Sequence, residues 1–286
     1  AWNELRARAE QIETQEGLEA ALRLLESDDR FARDTAPQRL EWAAERLGAH
    51  VERLAEGSGY EAALQFVEQY AGPFAAALES RRNDWAAQQR VRIAAREAAR
   101  AAAAQAAFET LRTELCAAIL ARDAAAARAA LDRAHPRLGD DAQRTAAERM
   151  AALAEAAGRL NEIVMESFRA EIGRSVAISL TSGVETWEIL GLVAGRLSLR
   201  RPAGLGFVER TIGPDDLSTA EKFRRVGNGN TPQTELLRGL VVLGAGRADL
   251  ARRHFESMGE PLGPALSAYV EQMEARRLDA AARRAL

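Results

Sequence analysis

Ser175-Val176-Ala177-Ile178-Ser179-Leu180, then Thr181-Ser182-Gly183, then Val184 to Val193: over this stretch the period of the chain changes. Apolar side chains fall on every second residue, the period of a half-buried strand, whereas the residues before Gly173 repeat at helical spacing. The alternation predicts that Val176, Ile178, Leu180, Trp187, Ile189 and Leu199 point inward, with Gly191 and Val193 on the same side as Trp187. Ala194-Gly195 supplies a turn. Arg196 to Arg201 reads as a third strand, and Pro202-Ala203-Gly204 as a break before a fourth over Gly206 to Ile212. Four short strands in so little chain predict a small antiparallel meander or partly closed barrel, a folded unit over about residues 174–213.

Outward from this insert the chain reads as helix. Of its 286 residues 62 are alanine, the best helix former, so the composition predicts long helices with thin cores. Leu18, Ala21, Leu22 and Leu25 recur at helical spacing, as do Leu40, Ala43, Ala44, Leu47, Val51 and Leu54. Asp34-Thr35-Ala36-Pro37 reads as the start of the second of these helices and Gly57-Ser58-Gly59 as its end. A third runs from Tyr60 to Gln69, before Gly72-Pro73. From Ser80 to Leu120 there is neither proline nor glycine, which predicts one helix about 60 Å long. Asp123 to Ala134 and about 142 to 172 follow. After the insert come a short helix near 218–226, a hairpin over 232–245 and 247–258, and a final helix towards Arg284. The fold class is therefore mainly α: irregular, repeat-like helical hairpins with a small antiparallel β insert. It divides into a helical region 1–173 with a long central helix, the insert 174–213, and a C-terminal region 214–286.

Composition excludes several functions. One cysteine, Cys116, cannot close an intramolecular disulfide, and three scattered histidines do not build a conventional zinc site. The absence of an 18-residue apolar run leaves no spanning segment, so a membrane enters only through a segment absent from this chain. The chain opens at Ala1-Trp2 with no hydrophobic signal core, which reads as an excised fragment or processed product. Net charge is −3, with 39 basic residues of which only Lys222 is lysine; the excess of arginine and alanine reads as genome base composition. Gly191, Gly195, Gly204 and Gly206 lack phosphate-loop spacing. Asp28-Asp29, Asp140-Asp141 and Asp215-Asp216 fall at helix boundaries, where aspartate caps free N–H groups. His50, His135 and His254 have no partner motif, and Cys116 reads as a buried small hydrophobe. No catalytic, cofactor-binding or metal-ligating residue can be nominated.

Within Pro232 to Pro264, Gly239, Gly246, Ala251 and Phe255 stand where a tetratricopeptide repeat has small, turn, small and large residues, and the last hairpin resembles one such repeat. Gly239 and Ala251 are expected at the helix crossing, with Gly239→Ala tolerated and Gly239→Leu damaging. Leu236 and Leu240 would line a partner groove beside it. A longer pattern runs through Phe168, Gly173, Val176-Ala177-Ile178-Ser179-Leu180, Ser182-Gly183, Trp187, Asp215-Asp216-Leu217-Ser218, Arg224-Arg225, Arg238-Gly239-Leu240 and Ala245-Gly246. It resembles the non-catalytic C-terminal region of transmembrane serine/threonine kinases of planctomycete and verrucomicrobial bacteria. The likeness covers about a third of the chain and includes no kinase motif, so it implies an extracytoplasmic sensing or interaction region; without it a cytoplasmic location is expected.

Two basic clusters remain. Arg81, Arg82, Arg90, Arg92, Arg96 and Arg100 are opposed locally only by Asp84 and Glu97 and read as a solvated helix face. Arg200, Arg201 and Arg210 surround the β insert and are the interaction candidates, with Leu236 and Leu240. The sequence thus reads as a non-enzymatic interaction, sensory or scaffold region with a protein or peptide partner and no cofactor. The alternative is a nucleic-acid-binding adaptor using the insert and the arginines, whose affinity would fall steeply with salt; nucleic acid is the less favoured partner.

Overall fold

The computed structural model describes residues 2–29 and 32–285. The protein is mainly α, with one four-stranded antiparallel sheet. It divides into two compact units, 1–101 and 102–286. The boundary lies inside the long helix, and Gly173 marks where strands begin rather than where a compact unit ends.

The first unit contains α1 (Trp2–Glu16), α2 (Leu18–Ser27), α3 (Ala32–Ser58), α4 (Tyr60–Gln69) and the first part of α5 (Glu79–Ala121). The apolar stripe of α2 buries Leu22 and Leu25 against Trp42, Leu47 and Leu78. Val51, Ala63, Val67 and Ala86 close a second small core. The helix expected to begin at Asp34 starts at Ala32, so Asp34 lies in its first turn and Pro37 inside it. Five of the six arginines of α5, all but Arg100, are engaged by neighbouring helices rather than forming a free basic face. Arg81 pairs with Glu41 at 2.6 Å, Arg92 with Glu52 at 2.7 Å, Arg90 with Glu68 at 2.5 Å and Arg96 with Glu61 at 3.5 Å. Arg82 donates to the Val67 carbonyl at 3.0 Å. The missing counter-charges came from α3 and α4, which a local count along α5 does not see.

The second unit builds one core from the rest of α5, α6 (Ala124–Ala134), α7 (Asp141–Gly158), α8 (Leu160–Glu166), the sheet, α9 (Thr219–Arg225), α10 (Pro232–Gly244), α11 (Ala248–Ser257) and α12 (Gly263–Ala285). Asp123 and Asp140 cap α6 and α7 by accepting from Ala126 N–H at 2.9 Å and Gln143 N–H at 2.7 Å. The single helix expected over 142–172 breaks at Arg159. Next to that break, Gly158 passes so close to α6 that a Cβ there would stand 3.0 Å from the Ala124 methyl. No described helix is long and apolar enough to cross a membrane.

The strands are β1 (Ser175–Leu180), β2 (Gly183–Val193), β3 (Arg196–Ala203) and β4 (Gly206–Ile212), paired in the order β1-β2-β3-β4. It is an open meander: β1 and β4 do not pair, so the partly closed barrel does not form. Ile178, Leu180, Trp187, Ile189, Leu197, Leu199 and Ile212 face the core, with Val176 half-buried beside them. The alternation fails beyond Ile189. There the register slips, with Ile189 opposite Leu199 but Gly191 opposite Ser198, so Leu190 is an extra residue. Leu192 therefore packs on the core, while Val193, expected inward, is 71% exposed. Pro202 and Ala203 do not break β3; they pair with Phe207 and Gly206. Proline is tolerated there because Arg200 is the last β3 residue paired with β2.

Candidate functional site

The two edges of this sheet are treated differently. The outer edge of β1 is sealed. Ser218 N–H donates to the Ser179 carbonyl and Thr181 N–H to the Asp216 carbonyl, both at 2.9 Å, and Leu180 bridges to Leu217. Ser179 N–H donates to the Glu221 carboxylate at 3.2 Å, and Arg224 reaches the Ala177 carbonyl at 3.3 Å. Ser218 also caps α9, accepting from Glu221 N–H at 3.1 Å.

Glu221 is the centre of this seal and is buried. It accepts from Arg224 at 2.6 Å and from Arg225 at 2.7 Å, while Arg225 also meets Glu171 at 2.8 Å and lies 3.6 Å from the Phe168 ring centre. Burial raises the Glu221 pKa, but hydrogen bonds from Arg224, Arg225 and the Ser179 N–H outweigh it, so the carboxyl stays below its ordinary 4.5. Sequence reasoning missed this cluster. The available signal was Glu221, Arg224 and Arg225 at i, i+3 and i+4, one helix face.

The edge of β4 is open. Among the described residues β4 pairs only with β3. The β3–β4 hairpin turns through Gly204-Leu205, with Gly204 at φ +58, as a two-residue hairpin loop requires of its first position. Leu205 at the tip is fully exposed, Phe207 is 64% exposed and Val208 is exposed beside it. An open edge carrying apolar side chains is a template for strand addition, which folded proteins normally suppress with charge, proline or a covering element.

The three arginine candidates border this hairpin, and each faces a carboxylate. Arg200 pairs with Glu188 at 2.9 Å and lies 4.8 Å from the Phe207 ring centre. Arg201 pairs with Glu185 at 2.6 Å and lies 4.5 Å from the Trp187 ring centre. Arg210 is 3.7 Å from Asp216. Leu236 and Leu240 are elsewhere and buried: they belong to the core, so they do not line an open groove. The hairpin they serve does pack closely, with the fully buried Phe255 ring against Gly239 and Ala251 buried in the same core. His254, which had no partner in the sequence, meets Glu235 at 2.7 Å, and Glu235 also accepts from Arg238 at 3.0 Å. Cys116 is buried, and burial pushes its thiol up to about 12, so it stays protonated at neutral pH. No described group of three or more histidine, cysteine or acidic residues could hold a metal ion.

No family model, curated protein or solved structure matches this chain.

Proposed function

We propose that this chain is a non-enzymatic protein-interaction module that takes up an extended segment of a partner along β4. One observation carries the reading: the sheet has a sealed edge at β1 and an open edge at β4 whose hairpin end, Leu205, Phe207 and Val208, is apolar and exposed. Backbone N–H and C=O groups would supply affinity, and Phe207 on one face of the sheet and Val208 on the other, with Leu205 at the tip, would select apolar side chains of the incoming strand. The carboxylates opposite Arg200, Arg201 and Arg210 favour a protein partner over nucleic acid, since each arginine's charge is already met. The tetratricopeptide-like reading of α10 and α11 is supported by Gly239 lying beneath the Phe255 ring. Membership of a membrane-anchored kinase rests on the residue pattern from Phe168 to Gly246 alone.

Panning a random octapeptide library on the wild type and on a Leu205→Asp/Phe207→Asp variant tests this reading. The expected result is enrichment of apolar peptides on the wild type and its loss on the variant. Equal enrichment on both, or tight binding of a short single-stranded oligonucleotide that collapses with added salt, would replace it with the nucleic-acid alternative or with neither.

A further inference from the structure

The first unit contains a cleft of about 1070 Å³ bordered by α2, α3 and α4. Its floor is apolar, formed by the half-buried Leu18 over the buried Leu22 and Leu47. One wall is aromatic: the Phe66 and Tyr70 ring centroids are 5.6 Å apart. Tyr70 is held in place, because its hydroxyl donates to the Pro73 carbonyl at 3.0 Å and a Cβ on Gly72 would stand 2.8 Å from that hydroxyl.

The polar lining is predominantly acidic. Glu16, Glu19 and Glu26 line the cleft against a single guanidinium, that of Arg23, which Glu19 engages. Glu26 is fixed by the Phe74 N–H at 3.0 Å. His50 adds no charge at neutral pH, since burial holds its pKa below the ordinary value. Burial pushes the Tyr70 phenol up to about 12, and the charges of Glu19 and Glu26 push in the same direction, as a negative field in the cleft requires. Arg82, whose guanidinium lies 5.9 Å from the Tyr70 ring centre, is held by the Val67 carbonyl.

An apolar floor, an aromatic wall and surplus carboxylates suit a cation on an aliphatic stem. The stem is desolvated on the floor, and the charge meets carboxylates and ring faces together. We propose that this cleft binds a guanidinium or ammonium head group carried on an apolar stem, either a basic side chain of a peptide or a free amine of the same shape. The site is independent of the β4 edge.

Calorimetric titration of the full chain with agmatine, with acetyl-Gly-Arg-Gly-amide and with the uncharged citrulline form of that peptide tests the proposal. At least one cationic probe is expected to bind, and the citrulline peptide is not. The tighter of the two cations identifies the source. Glu16→Gln/Glu19→Gln should weaken binding about tenfold or more without moving the thermal midpoint. Gln69→Arg, which puts a cation into the cleft from an exposed position, should abolish it. The proposal is overturned if neither cation binds, if the citrulline peptide binds equally, or if both variants bind like the wild type.

Discussion

Gly239 shows how one contact sets a residue's tolerance. A Cβ there would lie 2.3 Å from Cε1 of Phe255, whose ring is fully buried and cannot swing away. The sequence identified a small residue at the crossing but not that the ring fills the whole space above it. The expectation that alanine is tolerated therefore fails: overpacking costs about 1–3 kcal/mol, against about 1 kcal/mol gained in helix propensity. Gly239→Ala should lower the denaturation midpoint, and Phe255→Leu in the same chain should recover part of the loss. Additive effects of the two substitutions would contradict direct contact.

Glu221 gives the pH dependence. Its folded pKa lies below 4.5, so its contribution is present above that value and is lost as pH falls through the folded pKa. Removing one partner of a buried pair costs about 3 kcal/mol, so Glu221→Gln should be less stable by roughly that amount at pH 7. The difference should shrink steadily below pH 4.5. Chemical denaturation on either side of that pH reads it, and a constant difference would place the effect in packing instead.

At the scale of elements, helix and strand positions were largely legible because 3.6- and 2-residue periods are local properties. α4, the uninterrupted run that becomes α5 and the first strand follow directly from the spacing of apolar residues and of glycine and proline. What escaped was non-local. The bulge at Leu190 shifts Val193 outward, and no local pattern announces it. The open β4 edge could not be seen either, because residues 216–221 seal β1 from outside the insert. Another element-level device is the β2–β3 turn, where Ala194 has φ +50 and Gly195 φ +70. Alanine in this left-handed region costs about 1–2 kcal/mol, which asparagine tolerates better. Ala194→Asn should raise the thermal midpoint; no change would mean that the turn relaxes without cost.

At the scale of the whole molecule, the two units differ in what they offer. Residues 1–101 tie arginines of α5 to carboxylates of α3 and α4 and enclose an acidic, aromatic cleft. Residues 102–286 use their core to hold a sheet with one edge closed and one edge presented. The central claim is that the presented edge takes up a strand, and amide hydrogen exchange on the full chain tests it most directly. With a peptide selected on the wild type, the amides of residues 206–212 should exchange more slowly than without it, and those of β1 should not change. Unchanged exchange across β4, with protection appearing elsewhere, would contradict the account.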